Sequence, residues 1–291
     1  MSGRGILITG ATGNVGREVV LAAARAGQTA TAGLRRPETA RGIPPGFPTT
    51  RLDFHDPTTW APALDGHDAV FLVRPPAIAD VQRNLHPFID TAYANGVTHI
   101  VFLSVAGADR NGFVPHAKVE AHLAASGDGY TILRPGFFAQ NLQDAYLADI
   151  LEENRIILPA GHAKVNWIDV RDVADLAMLV FADPADHRAR GYSLTGPEPV
   201  TWEHVTRILS EVTGRRIEYK AVSVPRYMVR LWRRHLPAGA IFVQSILHAL
   251  LRYGQGAQYD PTLENLLGRS SRSIETYIRD NADVWRIEAV P

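Results

Sequence analysis

Gly5-Ile-Leu-Ile-Thr-Gly-Ala-Thr-Gly-Asn-Val-Gly16 is an apolar strand that runs straight into glycines at 10, 13 and 16. Arg17-Glu-Val-Val-Leu-Ala-Ala-Ala-Arg25 follows at once with a helical pattern. Strand, glycine turn and helix in that order make a dinucleotide pocket. Gly10 permits the tight turn, Gly13 lets a pyrophosphate approach the backbone, and Gly16 lets the helix pack on the strand. The helix N-terminus then faces the phosphate charge. Gly10, Thr12, Gly13, Asn14, Val15 and Gly16 are therefore the first candidate binding residues. Thr29–Leu34 reads as the next strand, and Arg35-Arg36 ends it. An NAD site places a carboxylate here to accept from the ribose 2′-hydroxyl, yet no acid precedes Glu38. Two guanidinium groups suit a 2′-phosphate, to which each can form paired, charge-assisted bonds. NADP(H) is the expected cofactor.

Further strands are expected at Thr49–Leu52, Ala69–Val73, His99–Leu103 and Tyr130–Leu133, with helices at Thr58–Leu64, Ile78–Asn95 and His116–Ala125. Strands alternating with helices imply an α/β Rossmann fold, a doubly wound parallel sheet covered on both faces. Asp53 ends the third strand, either as an adenine contact or as a cap on the following turn. After Pro135 a helix with its loops is expected over Phe137–Asn154. Short strands are expected at Ile156–Leu158, Val165–Ile168, Tyr192–Leu194 and Arg215–Tyr219, and helices at Asp172–Ala182 and Thr201–Thr213. The last 70 or so residues read as mostly helical. The expected division is a cofactor-binding domain over 1–155, completed by segments within 166–196, and a smaller, mostly helical substrate lobe over 196–291.

The 291 residues carry 30 basic and 30 acidic side chains and no cysteine. No basic patch suggests nucleic acid, and thiolate catalysis, disulfides and cysteine zinc sites are excluded. The histidines are dispersed without ligand spacing, so no metal site is expected. No apolar run reaches membrane-spanning length, which makes a soluble cytoplasmic protein, monomer or homodimer, the default expectation. Arg226, Arg230, Arg233 and Arg234 share one helix face and read as solvated residues opposite a packed face, rather than as an anion or membrane contact.

Thr9-Gly-Ala-Thr-Gly-Asn-Val-Gly16, Leu34-Arg-Arg-Pro-Glu38, Phe102-Leu-Ser-Val-Ala-Gly107, His116-Ala-Lys-Val-Glu120 and Thr131-Ile-Leu-Arg-Pro-Gly-Phe-Phe-Ala-Gln-Asn141 stand in an order that resembles the NmrA-like group of atypical short-chain dehydrogenases/reductases. Trp167-Ile-Asp-Val-Arg-Asp-Val-Ala174 and Gly268-Arg-Ser-Ser-Arg-Ser-Ile-Glu275 extend the resemblance over nearly the full chain. It implies that the glycine turn and Arg35 or Arg36 hold the adenosine half of NADP. Val73-Arg74-Pro75-Pro76 would pass beside the ribose, Pro135 and Phe137 would border the nicotinamide, and Lys118 would bond its ribose.

Ordinary short-chain dehydrogenases place a proton-transfer tyrosine four residues before the lysine, and here that residue is Val114. Ser104, His116 and Lys118 are the remaining catalytic candidates. His116 is expected to titrate near neutrality. The substrate pocket is expected beyond the carboxyl ends of the strands, with Phe138, Asn141, His248 and Tyr253 as wall residues. The expected activity is NADPH-dependent reduction of a small aromatic, quinone-like or enone substrate. The alternatives are an NADP redox sensor without catalysis and a non-redox epimerase or dehydratase.

Overall fold

The computed structural model describes residues 5–39 and 41–286. In chain order these form β1 (Gly5–Ile8), α1 (Asn14–Arg25), β2 (Ala30–Leu34), β3 (Thr49–Arg51), α2 (Trp60–Leu64) and β4 (His67–Val73). Next come α3 (Val81–Ala94), β5 (His99–Leu103), α4 (Pro115–Ser126), β6 (Tyr130–Pro135), β7 (Phe137–Phe138), α5 (Asn141–Asp144) and α6 (Leu147–Glu152). β8 (Arg155–Leu158), β9 (Lys164–Ile168), α7 (Val170–Ala182), β10 (Arg190–Leu194), β11 (Pro199–Thr201) and α8 (Trp202–Thr213) follow. The chain continues through β12 (Glu218–Ala221), α9 (Val224–Arg233), α10 (Ala238–Leu250), α11 (Thr262–Leu267) and α12 (Ile274–Asp280). Among the described residues no helix is long and apolar enough to cross a membrane.

Two compact units result. The first comprises Met1–Pro135, Val170–Leu194 and Thr262–Arg269. It holds a seven-stranded parallel sheet in the order β10-β6-β5-β4-β1-β2-β3. Strands covered on both faces need apolar residues on both, and all five residues of β5 are buried. Leu7, Val70, Leu72, Ile100, Phe102 and Ile132 join residues of α2, α3 and α4 in one apolar core, while α1 packs against α7. The chain winds outward from β1 in both directions, so the crevice at the carboxyl ends of β1 and β4 is the topological switch point.

The second unit comprises Gly136–Asp169, Thr195–Pro261 and Ser270–Pro291. Its β11-β9-β7 sheet and β12-β8 pair surround a core that includes Trp167, Trp202 and Trp285. Trp167 and Trp202 meet edge to face at 4.9 Å, as do Phe137 and Trp167. Thr201 caps α8 by accepting from the His204 amide at 3.2 Å.

The structure corrects several expectations. Phe137–Phe138 is a strand rather than the start of a helix, because β9 supplies its partners through Trp167 and Ile168. The strand expected at Arg215–Tyr219 runs over Glu218–Ala221, in register with β8. The expected boundary at 155 falls at 135 instead, because Ala139, Leu142, Tyr146 and Ile150 bury their side chains in the second core. Thr262–Arg269, expected in the terminal lobe, belongs to the first unit, where Arg269 pairs with the fully buried Asp172 at 2.8 Å and with Asp175 at 2.6 Å.

Helix α1 begins at Asn14, inside the glycine turn. A Cβ on Gly16 would lie 2.2 Å from the Gly10 carbonyl oxygen. Gly16→Ala should therefore push α1 off β1 and destabilise the protein by about 1–3 kcal/mol, the usual cost of overpacking, read as a lower urea midpoint.

Candidate cofactor and active site

Gly10 sits at φ +63°, a left-handed conformation that favours glycine. A Cβ there would also meet the Val73 Cβ at 2.9 Å. Thr9, buried at the end of β1, accepts from the Val73 amide at 2.8 Å and so ties the two strand ends that flank the switch point. The turn closes with the Gly13 amide donating to the Gly10 carbonyl at 2.9 Å. No side chain caps α1 at Gly13, and its first turn carries no acid. A helix start with first-turn amides, no capping oxygen and no negative charge suits a phosphate. Thr12, Gly13 and Asn14 are exposed, while Val15 and Gly16 turn inward. Arg35 and Arg36 are both exposed beyond β2. The residues present thus fit a dinucleotide with a phosphorylated ribose.

The Asp53 carboxylate accepts from the His55 amide at 2.9 Å, and its carbonyl accepts from Trp60 Nε1 at 2.9 Å, while the cap of the following turn is Asp56. Arg74 is occupied differently from the expected ribose contact. Its Nη1 donates to the carbonyls of Pro75, Pro76 and Ile78 at 3.1, 3.3 and 2.6 Å, bracing the loop after β4. Its Nε donates to His116 Nε2 at 3.3 Å.

That bond corrects the expectation for His116. Burial pushes its imidazole down to about 4, and the Arg74 charge adds to the effect. Near neutrality His116 is uncharged, and its Nε2 is an acceptor.

Ser104 is also committed. It is buried and donates to Glu120, which takes the Arg134 guanidinium as a fork, Nε to Oε1 at 3.0 Å and Nη2 to Oε2 at 2.7 Å. A serine in this network secures β5 to α4 and β6. Glu120 and Arg134 both stand in the motifs quoted above, but nothing in either motif links them, and sequence reasoning missed the pair.

Val114 is the N-cap of α4, and Lys118 lies exposed in its first turns. Lys118 and His116 are two positions apart, so they project from different sides of the helix and do not act on one atom as a pair. Pro135 ends β6, where its carbonyl accepts from the Ala106 amide at 3.0 Å.

In the second unit Phe137, Phe138 and Asn141 are half-buried. His248 is a core residue rather than a pocket wall. Its Nδ1 donates to the Gln244 carbonyl at 2.7 Å, and its Nε2 accepts from the Tyr146 hydroxyl at 2.5 Å. Burial lowers its pKa and raises that of Tyr146. Tyr253 is 82% exposed on a short helical turn.

The sequence profile of the NAD(P)H-binding family matches residues 10–184. The chain is 30% identical to Prestalk A differentiation protein A of Dictyostelium discoideum, over 94% of this chain and 91% of the relative. It is 33% identical to a (4-alkanoyl-5-oxo-2,5-dihydrofuran-3-yl)methyl phosphate reductase of Streptomyces griseus, over 97% and 100% of the two chains. An NADPH-dependent quinone oxidoreductase from Escherichia coli superposes with a TM-score of 0.81 at 26% identity, over 94% of this chain and 98% of that one. The chain belongs to the NAD(P)H-binding family and is an NAD(P)H-dependent oxidoreductase.

Two outcomes are expected. Arg134→Met leaves the Glu120 carboxylate buried without its cation and should cost about 3–5 kcal/mol, measured by urea unfolding. Burial also holds His99 down to about 4. In the unfolded chain both His99 and His116 titrate near about 6.5. The unfolded state therefore binds more protons between those values, and stability should fall as the pH drops from about 6.5 toward 4. The urea midpoint should be lower at pH 5 than at pH 7, and a His99→Gln/His116→Gln variant should show a flatter dependence.

Proposed function

We propose that the protein reduces a small, conjugated, electron-poor molecule, a quinone or an enone, with NADPH as reductant and solvent as the proton source. The observation that carries this reading is the state of Val114, Ser104 and His116. Val114 has no proton to give. The Ser104 proton is held by Glu120. His116 is neutral and turns an acceptor nitrogen to Arg74. NADPH, when bound, supplies a hydride. The amides around Gly13, Asn14 and Val15 would take the diphosphate, Arg35 and Arg36 the 2′-phosphate, and Lys118 the nicotinamide ribose.

A protein without a poised acid favours acceptors whose product is a stabilised anion. Hydride addition to a quinone leaves a phenoxide-like oxygen, whose conjugate acid has a pKa of about 10. Water protonates it without help. Conjugate addition to an enone leaves an enolate, which also delocalises its charge. A saturated ketone would give an alkoxide close to water's own value of about 16, and that oxygen needs an acid beside it. The Streptomyces griseus reductase named above, whose substrate is a dihydrofuranone, and the Escherichia coli quinone oxidoreductase support the same class of acceptor.

The test follows loss of reduced-cofactor absorbance with purified protein and three acceptors: a naphthoquinone, a 4-acyl-2,5-dihydrofuran-5-one and a saturated ketone. Turnover with either conjugated acceptor and none with the ketone is expected; turnover of the ketone alone would overturn the reading. Arg35→Ala/Arg36→Ala should raise the KM for NADPH by about 10- to 100-fold, the loss of one charged hydrogen bond or more, and leave the KM for NADH nearly unchanged.

A further inference from the structure

The second unit contains a cavity of about 340 Å³ between the β8-β12 pair and helix α9, lined by six cations and one carboxylate, Glu153. Arg155 and Lys220 face it from the strands. Arg226, Arg230 and Arg233 face it from α9, and Arg234 from the residue after it. The spacing of the α9 residues puts Arg226, Arg230 and Arg233 on one side of the helix, and the flank beside it carries the buried Tyr227 and Leu231.

Two of these cations are not the solvated residues that the sequence suggests. Arg230 donates to Asp149 at 2.9 Å and to Glu153 at 2.5 Å. Arg234 donates to Glu153 at 2.8 Å and also pairs with Asp149. Asp149 is buried, and the Arg230 guanidinium holds the Glu153 carboxyl below its ordinary value. The two acids neutralise the two arginines and fix them as one wall.

The other four have no such partner. No ion pair among the described residues involves Arg155, Lys220, Arg226 or Arg233, and Arg155 donates only to the Glu153 carbonyl at 3.1 Å. The chain as a whole is balanced at 30 basic and 30 acidic residues, so this excess is local. A helix C-terminus favours cations, which accounts for Arg230 and Arg233. It does not account for Arg226 at the other end of the helix, or for Arg155 and Lys220 on the strands.

Like charges gathered round a concavity raise its potential and concentrate anions there. Guanidinium forks match phosphate oxygens in pairs, and an ammonium adds a point charge. Ile157, Val222 and Val229 also line the cavity, an apolar surface for the organic part of a ligand. We propose that this cavity is a binding site for the phosphate or diphosphate group of an organic phosphate ester. The inference stands apart from the reductase reading, since it uses no residue assigned to the cofactor or the acceptor.

The test uses protein saturated with NADPH, so that the glycine turn cannot take the probe. Calorimetry and thermal shift are run with pyrophosphate and with glycerol 3-phosphate, and sedimentation with vesicles of phosphatidylglycerol or of phosphatidylcholine. Binding of a soluble phosphate with a raised Tm identifies a soluble ester as the source. Sedimentation with phosphatidylglycerol alone identifies a lipid head group. In either case Arg226→Ala/Arg233→Ala should weaken binding at least about tenfold with NADPH affinity unchanged. Lys220→Glu, a single exposed change, gives the same readout should the double variant fold poorly. Absence of binding in both arms, or binding that neither variant weakens, overturns the proposal.

Discussion

The approach of helix α1 to the Gly10 carbonyl sets the geometry of the whole carboxyl edge of the sheet. Where a side chain on Gly16 would stand, the Gly10 oxygen lies 2.2 Å away, so the helix sits closer to the turn than any other residue would permit. This closeness starts α1 at Asn14 and leaves its first-turn amides beside the crevice between β1 and β4. Thr9 locks the two strand ends together from below. A phosphate site, a tight turn and a helix-to-sheet contact are thus one constraint met by one set of glycines.

Around that crevice the polar side chains are held in structural roles. Arg74 braces its own loop through three carbonyls, and burial, with the Arg74 charge adding to it, keeps the neighbouring imidazole neutral. Ser104, Glu120 and Arg134 join β5, α4 and β6 through a buried ion pair. Removing a member of such a network leaves a charge or donor unsatisfied in a region poor in water, so the network resists change for reasons of stability.

The second unit shows a comparable economy. Its core is aromatic, with Phe137, Tyr146, Trp167 and Trp202 meeting at near-perpendicular ring angles, and the hydroxyl of Tyr146 is satisfied by a neutral His248. Charge appears at its margin, where Asp149 and Glu153 turn two arginines of the α9 region into fixed structure and leave four other cations facing a cavity.

What the sequence determined by itself was local. The glycine spacing, the apolar runs of parallel strands and the Arg35-Arg36 pair act over a few residues, so the α/β fold and the cofactor class were legible, as was the absence of a tyrosine at Val114. Tertiary structure decided everything that depends on distance and burial. The protonation of His116 depends on its burial and then on Arg74, 42 residues away in sequence, and the fate of Ser104 depends on Glu120 and Arg134. The exchange of chain between units, with Gly136–Asp169 in one and Thr262–Arg269 in the other, leaves no mark in composition. Hydrogen bonding and desolvation are set by which groups the fold brings together, and spacing along the chain does not carry that information.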